Sequence, residues 1–64
     1  MNPLRRERIL QQKSIHLISH RTGIESSQIS LIERGLKKAT AEQKRKLARA
    51  LRARMRDLFP REEG

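Results

Sequence analysis

The amino-acid sequence predicts a small all-α domain of four to five helices. Residues that cap helices precede several runs of good helix formers, and apolar residues recur at helical spacing along most of the chain. Glycine stands where two of the predicted helices must be joined by a turn. A chain of 64 residues forms one domain at most, and its core must be small. It has no cysteine, so neither a disulfide nor a thiolate zinc site braces that core.

The first helix is predicted to begin at the dipeptide Asn2-Pro3 and to run to about Gln12. Asparagine is a favoured N-cap, and proline is favoured at the first helical position. The apolar content of this helix is poor. We assign residues 1–3 to a frayed N-terminus, residues 4–59 to the domain, and residues 60–64 to a disordered tail.

Two short helices follow, joined by a tight turn. Ser14 is expected to cap a helix over Ile15–Thr22, and a further helix should run from Ser26 to about Arg34 and stop at Gly35. Gly23 stands in the turn, where positive φ carries no Cβ clash. Four isoleucines are spaced so that the two helices, crossing steeply, bury them together. They are Ile18, Ile24, Ile29 and Ile32.

A last helical region begins after Thr40, which forms a capping box with Gln43. Its apolar residues recur at helical spacing. They are Leu47, Leu51, Met55 and Leu58, with Ala48 and Ala50 beside them. The region is rich in Ala, Leu, Arg and Lys, so local sequence favours one continuous helix from Ala41 to about Leu58.

The run from Ile18 to Gly35, ISHRTGIESSQISLIERG, resembles the helix-turn-helix of the phage Cro/C1-repressor-like family of DNA-binding domains. The resemblance is carried by Ile18-Ser19, Thr22-Gly23-Ile24, Gln28-Ile29-Ser30 and Ile32-Glu33-Arg34-Gly35. A looser similarity extends from about Leu4 to Phe59. The resemblance implies a compact lambda-repressor-like domain. It further implies a cytoplasmic transcriptional regulator that binds a two-fold DNA site as a homodimer.

The resemblance assigns DNA contacts to the third helix and the loop after it. Base edges in the major groove would be contacted by Ser26, Ser27, Ser30 and Leu31. Phosphates would be contacted by Gln28, Arg34, Lys37 and Lys38. Serine hydroxyls donate or accept, so they discriminate bases weakly, whereas a leucine suits a thymine methyl group. The alternative interpretation is that these serines only keep a surface helix soluble. The resemblance pairs Arg8 with Glu33, the alternative being an unpaired surface arginine.

The chain departs from the family at several positions. Ile15 replaces a phosphate-binding glutamine, and Leu17 is apolar where the family is polar, so this patch is expected to be partly exposed or to contact a partner protein. At the positions of Arg52 and Arg54, the family usually has glycine and serine. The family pattern nevertheless favours a helix break there over the continuous helix, and we expect the break. The dimer contact is expected from Met55, Leu58 and Phe59.

The charge balance favours a polyanionic partner. The net charge is +9, from 16 Lys and Arg against 7 Asp and Glu. An RNA-binding adaptor using the arginine-rich C-terminal helix is an alternative, but Phe59 is the only aromatic residue available for stacking on bases. The chain could also be a protein-interaction module of the same fold, or an antitoxin-type regulator that binds a partner protein. A helix lying on a membrane surface would use the apolar stripe that the core needs.

Enzymatic function is not predicted, because no nucleophile–base pattern and no glycine-rich phosphate loop is present. His16 and His20 share a helix face, and we favour a solvent-facing polar pair over a metal site because no third ligand lies nearby in sequence. No cofactor is expected. No apolar run approaches the roughly 20 residues of a membrane span. The first ten residues carry charges where a secretory signal peptide is apolar.

Overall fold

Five α-helices form the regular structure of residues 2–60, which are the residues that the computed structural model of the chain describes. The helices are α1 (Pro3–Leu10), α2 (Ile15–Thr22), α3 (Ser26–Glu33), α4 (Ala41–Leu51) and α5 (Met55–Leu58). No strand occurs within residues 2–60, so the all-α prediction is confirmed for this range. Met1 of the predicted frayed terminus and residues 61–64 of the predicted tail lie outside the described residues.

The predicted N-caps are confirmed at three helices. The Asn2 Oδ1 accepts hydrogen bonds from the Leu4 and Arg5 amides at 2.7 and 3.1 Å, so Asn2 caps α1 and Pro3 is its first residue. The Ser14 Oγ accepts from the Leu17 amide at 3.0 Å. At α4 the predicted capping box is complete. Each cap satisfies amides that lack an intrahelical partner.

Helix α1 ends two residues earlier than predicted. Its last residue is Leu10, and Gln12 adopts the left-handed conformation with φ 56°. This backbone turn redirects the chain toward α2. The amide of Gln12 donates to the Ile9 carbonyl at 2.9 Å, and that of Lys13 donates to the Arg8 carbonyl at 3.1 Å, so the end of α1 is closed by its own backbone.

The predicted break between α4 and α5 is confirmed. Arg52 adopts the left-handed conformation at φ 51° and ψ 43°, and Arg54 is extended at φ −78° and ψ 145°. Glycine and serine are therefore not required at these positions for the chain to leave the helix. The amides of Arg52 and Ala53 close the end of α4 by donating to the Arg49 and Ala48 carbonyls.

Side chains from the α1–α2 connection stabilise the end of α4. The Gln11 Nε2 donates to the Leu51 carbonyl at 2.7 Å, and the Lys13 Nζ donates to the Ala50 carbonyl at 3.1 Å. The last carbonyls of a helix have no intrahelical donor and carry partial negative charge, so an amide and an ammonium group suit this position. These contacts between distant segments favour ending α4 at Leu51 over one continuous helix.

The core collects apolar side chains from all five helices and from the segments between them. Helix α2 packs against α3 and α4, and α5 packs against α1 and α4. The buried apolar residues are Leu4, Ile18, Ile24, Ile29, Ile32, Ala39, Leu47, Ala48, Leu51, Leu58 and Phe59. All four isoleucines that the sequence assigned to the α2–α3 crossing are among them.

Three residues in and after α5, Met55, Leu58 and Phe59, were expected to offer exposed apolar area for a dimer, and this expectation is wrong for two of them. Leu58 is 2% exposed and Phe59 is 4% exposed, because α5 folds back onto α1 and α4. The ammonium group of Lys44 lies 5.7 Å from the centroid of the Phe59 ring, a distance that suits a cation–π contact. Met55 is partly buried against the same core. Leu58 and Phe59 are thus core residues of the single chain.

Candidate nucleic-acid interface

The turn between α2 and α3 is fixed by Thr22 and Gly23. Gly23 has φ 77° and ψ 5°, as predicted, and its amide donates to the Ser19 carbonyl at 2.8 Å. The buried Thr22 hydroxyl donates to the Ile18 carbonyl at 2.7 Å and accepts from the Ile24 amide at 3.1 Å. One side chain therefore bonds to backbone on both sides of the turn, which fixes the direction in which α3 leaves it.

Burial of one side of α3 determines which side faces outward. Ile29 is fully buried, and Ile32 and Glu33 are 3% and 5% exposed. The opposite side presents uncharged side chains, with Ser27 exposed and the others partly exposed. The partly exposed ones are Ser26, Gln28, Ser30 and Leu31. The four residues predicted to contact bases therefore have accessible surface on one short helix.

The residues predicted to contact phosphates lie at the end of α3 and in the loop after it. Gly35 has φ 75°, and the Leu36 amide donates to the Leu31 carbonyl at 2.9 Å, which turns the loop back over the end of α3. The Lys37 Nζ donates to the Gln28 Oε1, so these two predicted phosphate contacts meet. Arg34 and Lys38 are exposed. Lys37 thus lies against the uncharged side of α3, and Arg34 directly follows the helix.

An ion pair joins α1 to the end of α3. The Arg8 Nε and Nη2 donate to the two carboxylate oxygens of Glu33 at 2.7 and 3.1 Å, and the Nη1 donates to the Lys13 carbonyl at 2.9 Å. The side chains of Arg8 and Glu33 are 13% and 3% exposed. The predicted pairing is confirmed. Because the guanidinium bridges three segments, it fixes the end of α3 relative to α1 and to the start of α2.

Apolar surface is exposed at more places than predicted. Ile15, which packs against the core, and Leu17 are both half-buried, so this patch is partly exposed, as expected. Within residues 2–60, the more exposed large apolar side chains are those of Ile9, Leu10 and Leu36, at 45%, 67% and 64%. The spacing in α1 could have identified Ile9 and Leu10. They follow Leu4 by five and six residues, and this spacing places them away from the helix side on which Leu4 is buried.

Other candidate sites gain no support within the described residues. His16 and His20 are exposed, and within residues 2–60 the His, Cys, Asp and Glu side chains form no group of three that could hold a metal ion. None of the helices in this range combines the length and apolarity needed to cross a membrane.

Comparisons with known proteins do not give a family for this chain. No match was found among models of protein families, curated proteins or solved structures. The fold and the candidate site define a small all-helical domain that presents one short, uncharged helix side with cations at its end.

Proposed function

We propose that this chain is a sequence-specific DNA-binding transcriptional regulator of the Cro/C1-repressor-like kind, with α2 and α3 forming a helix-turn-helix in a lambda-repressor-like domain. One observation carries the proposal. The accessible side of α3 is uncharged but able to form hydrogen bonds, and it ends beside cations in a chain of net charge +9. Base contacts need the first property, and phosphate contacts need the second.

The proposed mechanism divides the contacts into two kinds. Arg34, Lys37 and Lys38 neutralise phosphates and release counterions, which gives affinity for any sequence. Ser26, Ser27, Ser30 and Leu31 enter the major groove and give preference among sequences. Occupancy of the site then blocks or recruits polymerase.

The contacts within the chain support a preformed interface. The Lys37–Gln28 hydrogen bond holds one lysine of the loop against α3, and the Arg8–Glu33 pair fixes the end of the same helix. A preformed surface binds with less loss of conformational freedom than a mobile one. DNA binding therefore requires little rearrangement of the backbone in this proposal.

We further propose that the regulator acts as a homodimer, since one α3 covers too few base pairs to identify a site in a genome. Two copies of α3 would lie about 34–36 Å apart on one face of the DNA. Because Leu58 and Phe59 are buried, we assign the contact to the exposed Leu10 and Leu36. Sedimentation equilibrium should show that Leu10→Gln with Leu36→Gln weakens self-association. A strict monomer that binds one half-site as tightly as two would contradict the homodimer.

Selection of binding sites from random duplex DNA tests the proposed function. We expect enrichment of a palindromic sequence. The variant with Lys37→Ala and Lys38→Ala should bind enriched and random duplexes more weakly by the same factor, and the dependence of its affinity on salt should fall by about 0.9 for each phosphate that is no longer neutralised. A weakening confined to the enriched site would contradict the phosphate assignment. Absence of any enriched sequence would contradict sequence-specific binding.

The second candidate function is a protein-interaction module. The exposure of Ile9 and Leu10 on α1 favours it, because adjacent large apolar residues on a small domain are available to a partner. The same selection experiment distinguishes the candidates, since an interaction module enriches no DNA sequence. If enrichment fails, binding of a partner should depend on Ile9 and Leu10 and not on Ser27.

A further inference from the structure

An open basin of about 470 Å³ lies between α2 and α4, apart from the accessible side of α3. Its lining residues come from the last turn of α2, from the second half of α4 and from the residue after α4. They are Arg21, Thr22, Lys46, Arg49, Ala50 and Arg52. Of the described residues that line it, none belongs to α3 or to the loop that carries Lys37 and Lys38. The basin is therefore a separate surface from the proposed base-contacting helix.

The basin is strongly basic. Four of its six described lining residues are cations and none is acidic. The Lys46 Nζ lies 3.4 Å from a carboxylate oxygen of Glu42, which offsets part of its charge. The three arginines are exposed, with Arg21 on α2, Arg49 on α4 and Arg52 directly after α4. Like charges lining one concavity repel each other and concentrate positive potential there, which attracts an anion.

The backbone of Arg52 leaves the helix at the rim of the basin. Arg52 holds the left-handed conformation, with φ 51°, at the end of α4. Glycine adopts this conformation without strain, whereas a residue with a Cβ is strained in it. The helix end therefore does not need arginine. Gln12 has the same left-handed conformation and is not among the described lining residues, so Arg52 contributes to the basin through its charge and not through its backbone.

We propose that this basin binds phosphate groups of a nucleic-acid backbone, separately from α3. Planar guanidinium groups donate paired hydrogen bonds to phosphate oxygens, and three arginines around one concavity suit a chain of phosphates. The phosphates come either from a more distant part of the duplex that α3 contacts or from a second duplex. The basin requires no base contacts, so it stands independently of the proposed sequence preference.

The test uses the full chain with Arg21→Gln and Arg49→Gln, which removes two charges and keeps polar side chains. The matched control is Arg5→Gln with Arg6→Gln, because these arginines are also exposed but lie on α1, outside the described lining of the basin. Binding to a random-sequence hairpin duplex of about two helical turns, roughly 20 base pairs, is followed by fluorescence anisotropy across a salt series. A second assay measures capture of a labelled duplex by protein already bound to an immobilised duplex.

Two results support the basin and identify the source of the phosphates. If the same duplex reaches the basin, the slope of log affinity against log salt falls by up to about 1.8 in the basin variant, which corresponds to two phosphates. If a second duplex binds there, the variant keeps its affinity for one duplex and no longer captures the second. The control variant should retain both properties in either case.

Other results overturn the proposal. Equal losses of affinity in the basin variant and the control would show that only total charge matters. Unchanged DNA binding with weaker binding to polyglutamate would assign the basin to an acidic protein. Unchanged DNA binding with a lower melting temperature would show that Arg21 and Arg49 only oppose the negative ends of α2 and α4. Each outcome is independent of the sequence-selection experiment, because the duplex is random.

Arg52→Gly separates binding from stability in the same basin. The substitution removes a lining cation and also relieves the strained backbone. We expect the melting temperature to rise while the affinity for the duplex, or the capture of a second duplex, falls. A purely structural role for Arg52 would not produce these opposite changes, and higher stability with unchanged binding in both assays would exclude Arg52 from the site.

Discussion

A half-buried arginine, Arg8, and a buried glutamate, Glu33, form a bidentate ion pair although 25 residues separate them in sequence. The pair links α1 to the last residue of α3, and a third bond from Arg8 reaches the Lys13 carbonyl. All the buried side-chain nitrogen and oxygen atoms of the described residues have partners. The position of α3 thus depends on a helix that contributes little to the core, since Leu4 is the buried residue of α1.

Arg8→Met should destabilise the domain by about 3–5 kcal/mol, because it leaves the Glu33 carboxylate buried without its partner. Replacing both residues, Arg8→Met with Glu33→Met, should cost clearly less than the single substitution, since neither charge then remains buried. Urea unfolding followed by circular dichroism measures all the variants, with Glu33→Met completing the double-mutant cycle. Equal destabilisation in Arg8→Met and the double variant would mean that the pair contributes packing and not charge compensation.

Gly23→Val should destabilise the domain by roughly 1–3 kcal/mol. The effect must come from the backbone, because a Cβ at Gly23 meets no atom within 4 Å while φ is 77°. Gly23→Asn serves as the control, since asparagine tolerates the left-handed conformation better than valine. Thermal melting should rank the proteins wild type, Asn and Val in decreasing stability. Equal melting temperatures for all three would show that the turn does not need positive φ.

Arg52→Gly and Gln12→Gly should each stabilise the domain. Because glycine adopts the left-handed conformation without strain, each substitution should raise the free energy of unfolding by about 1–2 kcal/mol. The greater conformational freedom of glycine in the unfolded chain offsets roughly 0.4–1 kcal/mol of this gain. Arg49→Gly, inside α4, should instead destabilise by about 1 kcal/mol. Differential scanning calorimetry distinguishes the signs. A lower melting temperature for Arg52→Gly would show that contacts of the arginine side chain outweigh the strain of its backbone.

Gln11→Met should destabilise the domain by about 1–3 kcal/mol, because the Leu51 carbonyl is left without its donor at a partly buried position. Lys13→Met should act in the same direction through the Ala50 carbonyl. Lys38→Met, at an exposed residue, is the control and should change the free energy of unfolding by less than about 0.5 kcal/mol. Were Gln11→Met as mild as the control, the end of α4 would be stable without the α1–α2 connection.

The two sides of α3 should respond differently to substitution by alanine. Ile29→Ala should destabilise the domain by about 2–5 kcal/mol through a cavity, since Ile29 is fully buried. Ser27→Ala and Leu31→Ala should keep the fold and change preference for single base pairs by roughly 1–3 kcal/mol for each base that the side chain no longer reaches. Melting curves and competition binding measure the two effects. If Ile29→Ala altered base preference and left stability unchanged, the side of α3 assigned to DNA would be wrong.

Local sequence specified the helices and most of their ends. Asn2, Ser14 and Thr40 cap helices because each is followed by helix-forming residues whose first amides need an acceptor. Positive φ at Gly23 followed from its place between two helices. The pairing of Arg8 with Glu33 came from the resemblance alone, since nothing local connects residues so far apart. The roles of α3 in base and phosphate contacts remain predictions.

The sequence by itself determined the all-α class, the capped helix starts and the isoleucines of the α2–α3 crossing, because short-range spacing and backbone preference encode them. Only the tertiary structure decided that Leu58 and Phe59 are buried and that Leu36 is exposed. Tertiary packing also brought Arg21 of α2 beside Lys46, Arg49 and Arg52, which their spacing of three residues already places on one side of α4 and its end. Burial and concavity depend on which helices meet, and contacts between residues far apart in the chain set that.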